Sequence, residues 1–536
     1  MRVETELLET GVPVRAPRPA TVAPPRRRRR IDGFDLAVLG AFGAVSMWVL
    51  VLDLWQVVAH GRVWTGTDGF YLVDQMQYLA WIRDASHHVL ASNLFVLHST
   101  PSDYFQPAVA ISGGLSALGV APWLSLLLWK PVAVGAAFYA IRNYARRSLT
   151  GLWPRRAALV LGLFFGSFSV IYGSFGVVGD LFPGFLSWGY TFGLLAVAAM
   201  LGALVAYDRA RGRPRLAWAP ALLGALAGSL HPWQGELLIV IVVCSELVAW
   251  RAGRALPRRW LLPATTIVAA AIPLLYYAIL GRTDVSWGLA REASKHSFSF
   301  WTVALALAPL AVPAVLAYRR KPRSFLETAT RVWPLAALGV YLVSATGVSA
   351  TPLHAFEGAT IPLAVLAVQG VRNVRLPAAL RSRRKALGVV AVALATLPAT
   401  VYELVAATTL VAPTAGNANF ITRDEHHALQ YLARNEERGG VIARFYLGAV
   451  IPAETGRRTY VGHCLWSEPD CSPRAQLAQQ LIEGSLSPTQ ARSVVVQSGA
   501  RFVLSDCQTQ ADLRKALGPV VTSVRRFGCA SVYEVA

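Results

Sequence analysis

The sequence predicts a polytopic α-helical membrane protein of about 11 transmembrane helices, followed by a C-terminal extracytoplasmic α/β domain. Three observations predict it. Apolar runs recur from Phe34 to Val411, each near the roughly 20 residues a helix needs to cross a bilayer. Only 15% of the 536 residues are charged and 54% are hydrophobic, where a soluble chain carries about 25% charged residues. Beyond about Pro413 the charge content becomes ordinary, and helical and strand-like periods alternate.

The elements follow in order. Residues 1–32 mix Pro, Ala, Thr and Glu and end in "PPRRRRRIDG". They read as a disordered basic tail beside anionic lipid on the cytoplasmic side. The membrane domain covers 33–412. Its first span is Phe34–Val58, too long for a signal-peptide core and without a small-residue cleavage site, so it is retained. The loop 59–129 comes next. Within it, Phe105–Leu128 is apolar, but its "SGG" and two prolines suit interfacial or re-entrant helix broken against the outer face. Later spans fall near Pro131–Arg142, Arg156–Tyr172, Leu186–Tyr207, Leu216–Leu230, Glu236–Trp250, Trp260–Leu280, Phe300–Tyr318, Val332–Ser349, Glu357–Val371 and Ala386–Val411.

Charge sets the sides. The tail and the loops "RNYARRSLTGLWPRR", "DRARGRPR", "RAGRALPRR", "YRRKPRSFLETATR" and "RNVRLPAALRSRRK" hold 32 Lys and Arg. The intervening connections hold six: Arg62, Arg83, Lys130, Arg282, Arg291 and Lys295. Every second connection is basic, the pattern that keeps arginine clusters in the cytoplasm. The N-terminus is therefore expected in the cytoplasm of a multi-pass cell-membrane protein. Loop 59–129 and everything after Val411 are expected outside. The net charge of +21 comes largely from these clusters, so it points to membrane lipids and not to nucleic acid.

The domain at 413–536 reads as helix ("DEHHALQYLARN"), strand ("GGVIARFY"), helix ("PRAQLAQQLIEG"), strand ("ARFVLSD") and strand ("SVYEV"). Four of the five cysteines lie in it: Cys464, Cys471, Cys507 and Cys529. An oxidising compartment makes disulfides the expectation, with the pairing open and a zinc site as the alternative. Cys244, inside a span, reads as an inert core residue.

The ionisable residues outside the basic clusters gather on one side. Asp68, Asp74, Asp84, His87, His88, His98 and Asp103 lie in the first outer loop. Lys130 starts the second span. Asp180, then His231 and Glu236, then His354 and Glu357 occupy later outer connections. Such groups near a bilayer are costly and face a cavity. A carboxylate there can take a proton from a hydroxyl, and a Lys or His can hold a phosphate. Together they suit transfer of a group from a lipid phosphate to a hydroxyl. Each also has a plain reading: Asp74 as a hydrogen-bonded loop carboxylate, His87 and His88 as interfacial surface, His231 as helix-cap packing, and Lys130 as an anchor that snorkels.

This layout resembles the GT-C superfamily of polyprenyl-phosphate-sugar-dependent glycosyltransferases. The resemblance rests on "DQMQYLAWIRDA" (Asp74–Ala85), "WKPVAVGAAFYAIRNYARR" (Trp129–Arg147), "HPWQGELL" (His231–Leu238) and "AVIPAETGRRTYVGHCLWSEP" (Ala449–Pro469). It implies an inverting transfer of sugar from a lipid-linked donor to a cell-envelope glycan, lipid or protein. Asp74 would be the base and Asp180 an assisting or metal-binding acid. Lys130, His231 and His354 would face the donor phosphate, and Gln75, Tyr78, Glu236 and Glu357 would line the substrate site. Gln75 stands where many members carry a second acid, and "HAFEG" stands where members often carry Arg; both leave a divalent metal open. A non-catalytic scaffold that binds a partner, or a transporter or lipid flippase, are the alternatives. No Walker loop G-x-x-x-x-G-K-[ST] occurs, which disfavours ATP hydrolysis.

Overall fold

The computed structural model describes residues 31–68, 71–166, 181–253, 260–295, 300–346, 351–374, 377–414, 416–509 and 511–536. The basic tail before residue 31 and Asp180 lie outside these residues.

Helix α1 (Gly33–His60) opens on a capping box, in which the Asp35 N–H donates to Asp32 Oδ1 at 2.9 Å, and it closes at Gly61 with φ 60°. The further helices of the membrane domain are α2 (Leu72–His88), α3 (Pro107–Ala117), α4 (Pro122–Leu127), α5 (Trp129–Ser148), α6 (Leu152–Phe164), α7 (Thr191–Ala210), α8 (Trp218–Leu230), α9 (Pro232–Arg251), α10 (Leu261–Thr283), α11 (Val285–Ala293), α12 (Phe300–Val315), α13 (Phe325–Ala345), α14 (Thr360–Asn373) and α15 (Arg384–Leu410).

Among the described residues, seven helical stretches are long and apolar enough to cross a membrane: Gly33–His60, Pro122–Ser148, Thr191–Ala210, Pro232–Arg251, Leu261–Thr283, Phe300–Arg319 and Arg384–Thr409. The other expected spans are helices of a different kind. α6 and α8 have 13 residues each and α14 has 14, too few at 1.5 Å per residue for a hydrocarbon core of about 30 Å. α13 has 21 residues, with Glu327 and Arg331 near its start. α14 packs much of its length against neighbouring helices, while α8 and α13 leave Leu222, Leu335, Leu342 and Val343 exposed, as lipid-facing side chains are. The broken helix expected at 105–128 is present as α3 and α4. α4 is separated from α5 by Leu128 alone, so the second span starts at Pro122.

The C-terminal domain contains β2 (Phe420–Ile421), α16 (Arg423–Arg434), β3 (Val441–Ala443), α17 (Phe445–Thr455), α18 (Cys471–Glu483), α19 (Pro488–Ser498), β4 (Phe502–Ser505), β5 (Val521–Phe527) and β6 (Ala530–Val535). The sheet order is β3-β4-β6-β5, with β3 and β4 parallel and the rest antiparallel. The strand expected over "GGVIARFY" ends at Ala443, and Phe445 opens a helix instead. Cys464 pairs with Cys471 and Cys507 with Cys529, which removes the zinc alternative for these sulfurs.

Side chains alternate along the strands, as a period of two requires. Ile442, Val503 and Tyr533 enter a core with Leu481 and Val495 of the domain's own helices. Val441, Phe502, Leu504 and Val532 enter a second core, which also contains Met76, Leu79 and Ala80 of α2 and Leu447 and Val450 of α17. Domain and membrane loop thus share one hydrophobic core. β1 (Val63–Trp64) adds an antiparallel pair with β2, Val63 opposite Ile421. Asn419 beside it donates to Asp53 of α1 at 2.6 Å and accepts from the Thr67 hydroxyl.

Two glycines permit the close packing. A Cβ on Gly448 would lie 1.8 Å from the Val461 carbonyl oxygen, and one on Gly462 would lie 2.3 Å from Gly448. Gly448→Ala is expected to lower stability by about 1–3 kcal/mol. The thermal midpoint of the purified protein reads this, with Gly43→Ala as control, where nothing lies within 4 Å of an added Cβ.

Candidate active site

Asp74 sits in the first turn of α2, where a carboxylate complements the helix dipole. Its side chain is 41% exposed, and Oδ1 lies 3.2 Å from His463 Nε2. His463 is buried and belongs to the C-terminal domain. The Leu465 N–H points at its Nδ1 at 3.2 Å, which assigns the ring proton to Nε2 and makes that nitrogen the donor to Asp74. The loop carrying His463 is held on all sides. The Trp466 indole donates to Gln77 at 2.5 Å, Asn93 donates to the Trp466 carbonyl at 2.8 Å, and the Ser467 hydroxyl donates to the Phe95 carbonyl at 2.9 Å. The Trp466 ring packs against Trp81 and Trp287, with centroids 5.2 and 4.7 Å apart.

Two other acids of this loop are committed, whereas Asp103 keeps an Oδ1 without a hydrogen-bond partner among the described residues. Asp84 accepts from the Ser92 N–H at 2.7 Å and the Ser92 hydroxyl at 2.8 Å, shaping the turn after α2. Asp68 pairs with Lys130, and both are buried. Gln75 holds this pair in place by accepting the Asp68 N–H at 2.8 Å. Asp68, Gln75, Tyr78 and Lys130 surround a cavity of about 20 Å³. Lys130, expected to face a phosphate, is therefore already neutralised by a carboxylate.

His231 caps α9 between two short-linked helices, and the turn Pro352–Phe356 brings His354 and Glu357 beside it. His354 Nδ1 lies 2.5 Å from Glu357 Oε1, His231 Nδ1 lies 3.2 Å from Oε2, and Gln234 donates to Oε2 at 3.3 Å. Glu357 is fully buried. His231 approaches it without hydrogen-bond alignment, and neither ring nitrogen of His231 has a hydrogen-bond partner among the described residues. Tyr190 and Trp233 pack on both imidazoles. One donor atom from each of His231, His354 and Glu357 falls within 4.8 Å of the others. Two imidazoles and a carboxylate suit zinc, whose bonds to such ligands run about 2.0–2.2 Å.

Tyr78 joins the two groups. Burial pushes its phenol well above its ordinary range, the carboxylates of Asp74 and Glu357 add to the shift, and a hydrogen bond with Tyr190 opposes it. Glu236 is half-buried on α9, two residues past Gln234. Residues at that spacing do not share a helix face, and Glu236 makes no hydrogen bond to the cluster among the described residues.

The structure therefore brings together Asp74, Tyr78, His231, His354 and Glu357. Gln75 and Lys130 are tied up with Asp68 beside Tyr78, and Glu236 is left aside. His463 was not anticipated. It lies 389 residues from Asp74, and its sequence signals are its place within Ala449–Pro469, a stretch that carries the resemblance, and beside Cys464, which is bridged to Cys471.

Similar architectures are known. The chain superposes on the oligosaccharyltransferase of Archaeoglobus fulgidus in its apo form with a TM-score of 0.53 and 14% identity, covering 90% of this chain and 70% of that one. Against ArnT from Cupriavidus metallidurans bound to undecaprenyl phosphate the TM-score is 0.52 and the identity 13%, covering 93% and 97%. The chain has the GT-C fold. The arabinofuranosyltransferase AftD from Mycobacteria is also similar, with a TM-score of 0.54 and 14% identity over 94% of this chain and 41% of that one. No protein-family model and no curated protein sequence matches the chain. The GT-C likeness is thus one of architecture, and the site must be argued from its own residues.

Lys130→Met should destabilise the protein by about 3–5 kcal/mol, since it strands a buried carboxylate. Lys130→Met combined with Asp68→Leu should recover most of that loss. Chemical denaturation of the two variants in detergent measures the difference.

Proposed function

We propose that this protein is a membrane glycosyltransferase that moves a sugar from a polyprenyl-phosphate donor to an acceptor hydroxyl, with inversion. One observation carries the reading: Asp74 stays accessible, and a buried histidine orients it, while Asp68, Asp84 and Glu357 are buried and paired. An accessible carboxylate held in one orientation is what a general base requires.

In the proposed reaction the acceptor hydroxyl attacks the anomeric carbon from the face opposite the phosphate. Asp74 takes the hydroxyl proton, and His463 holds Oδ1 in place from its buried Nε2. The new C–O bond forms as the bond from the anomeric carbon to the phosphate oxygen breaks, and the polyprenyl phosphate leaves with the electron pair. The charge developing on that phosphate needs fixed positive groups. Lys130 is occupied by Asp68, so His354 is the candidate cation, while burial pushes the His231 imidazole well below its ordinary range and leaves it a neutral hydrogen-bond donor. A divalent cation, when held by His231, His354 and Glu357, supplies further positive charge there. Asp180 keeps its proposed assisting role from sequence alone.

The likeness to structures of an ArnT bound to undecaprenyl phosphate and of an oligosaccharyltransferase tethered to an acceptor peptide supports a lipid-linked donor and an envelope acceptor. The arginine distribution supports an N-terminus in the cytoplasm and a C-terminal domain outside the cell membrane.

Conversion of lipid-linked sugar to polyprenyl phosphate, followed by mass spectrometry, tests the reading. Asp74→Asn should cut the rate by about 10²–10⁴ with the fold intact, and full activity in that variant would refute Asp74 as base. Chelation should lower the rate of the unmodified protein and leave His354→Ala, already slow, unchanged. Equal chelator sensitivity of both would remove the cluster from any metal role.

A further inference from the structure

The helices that carry the candidate site end at a second feature. α5 starts beside Lys130 and runs 20 residues to Ser148, about 30 Å at 1.5 Å per residue. α14 starts near Glu357 and ends at Asn373. At those far ends lies a cavity of about 780 Å³ between Ser148–Thr150, the segment Ala317–Arg323, the first turns of α13 and the last turn of α14.

Arg320, Lys321, Arg323, Arg331 and Arg372 line this cavity, against the single carboxylate of Glu327. Among the described residues none of these five cations forms an ion pair. Glu327 is spent on its own helix start, accepting the Arg323 N–H at 2.7 Å. Several neighbouring arginines behave differently. Arg142 and Arg146 share Asp35 at 2.6 and 2.7 Å, Arg147 meets Asp208 at 2.6 Å, and Arg156 meets Asp32 at 3.2 Å. Arg155, Arg209, Arg213, Arg215 and Arg251 also form no ion pair among the described residues, so what sets the cavity apart is that five unpaired cations line one volume.

The walls are built. Gln369 donates to the Ser148 carbonyl at 3.2 Å, and Arg372 to the Thr150 carbonyl at 3.2 Å. Arg331 donates to the carbonyls of Glu327 and Ala317 at 2.9 and 3.2 Å. Two buried polar atoms of the lining stay without a partner, Arg331 Nε and Ser148 Oγ, and Ser148 is 7% exposed. Unsatisfied buried groups of this kind are costly. Both can donate a hydrogen bond, so they are complementary to oxygen acceptors. Guanidinium forks match phosphate oxygens.

We propose that this cavity binds a phosphate group, carried by the headgroup of an anionic phospholipid, on the face opposite the candidate active site. Basic pockets between membrane helices at headgroup depth hold such lipids.

Native mass spectrometry of the delipidated full-length protein tests the proposal, with phosphatidylglycerol, phosphatidylcholine and inorganic pyrophosphate added in separate titrations. Phosphatidylglycerol should bind far more tightly than phosphatidylcholine. Arg331→Gln with Arg372→Gln should weaken it roughly twentyfold, and Arg147→Gln, at a paired arginine, should leave it unchanged. Because Arg331 also braces two carbonyls, Lys321→Gln with Arg323→Gln serves as a second pair; these side chains are exposed and make no hydrogen bonds among the described residues. Pyrophosphate binding that both pairs abolish, without lipid binding, would support the phosphate site and assign it a soluble ligand. Lipid binding unchanged in both pairs, or equal retention of phosphatidylcholine, overturns the proposal.

Discussion

One face of the C-terminal sheet has to be covered, and the structure follows from what covers it. Val441, Phe502, Leu504 and Val532 present an apolar surface on the face away from α18 and α19. α17 and α2 cover it. Burying that surface is worth about 25 cal/mol for each Å² removed from water, which holds the domain against the first loop of the membrane region. The domain is therefore part of the site's architecture, and the loop Gly462–Ser467 reaches Asp74 only because Gly448 and Gly462 let two backbones touch.

A second constraint comes from charges that cannot stay bare near a bilayer. Asp53, Asp68 and Lys130 are buried together at the junction of α1, α5 and β2, with Asn419 and Gln75 supplying polar partners. Such a group contributes little net stability but penalises any misplacement of its members. It fixes where β2 meets β1 and hence where the domain begins. The same pairing explains why Lys130, beside a small cavity, is already neutralised.

Much of this was legible from residue types and their spacing. The apolar runs and alternating arginines gave the helical membrane region, and the compositional change near Pro413 marked the α/β domain. Asp74, Tyr78, His231, His354 and Glu357 could be picked out as polar groups outside the arginine clusters. Other features had no local signal. Asp68 and Lys130 looked independent, since a buried pair 62 residues apart leaves no period. His463 was hidden for the same reason at longer range. The first two residues of α17, Phe445 and Tyr446, were read as the end of a strand because they continue a run of strand-forming residues, and a helix buried on most sides shows no amphipathic period. Three expected spans form helices of 13 or 14 residues, because hydropathy marks an apolar stretch without fixing where its helix begins and ends.

The central claim is that the docked domain acts on chemistry through the contact of His463 with Asp74. A double-mutant cycle on the sugar-transfer rate, combining His463→Ala with Asp74→Asn, tests it most directly. The account predicts that His463→Ala slows the parent enzyme and adds nothing further once Asp74 is replaced. Independent, multiplying losses would contradict it, because the histidine would then be acting somewhere other than on that carboxylate.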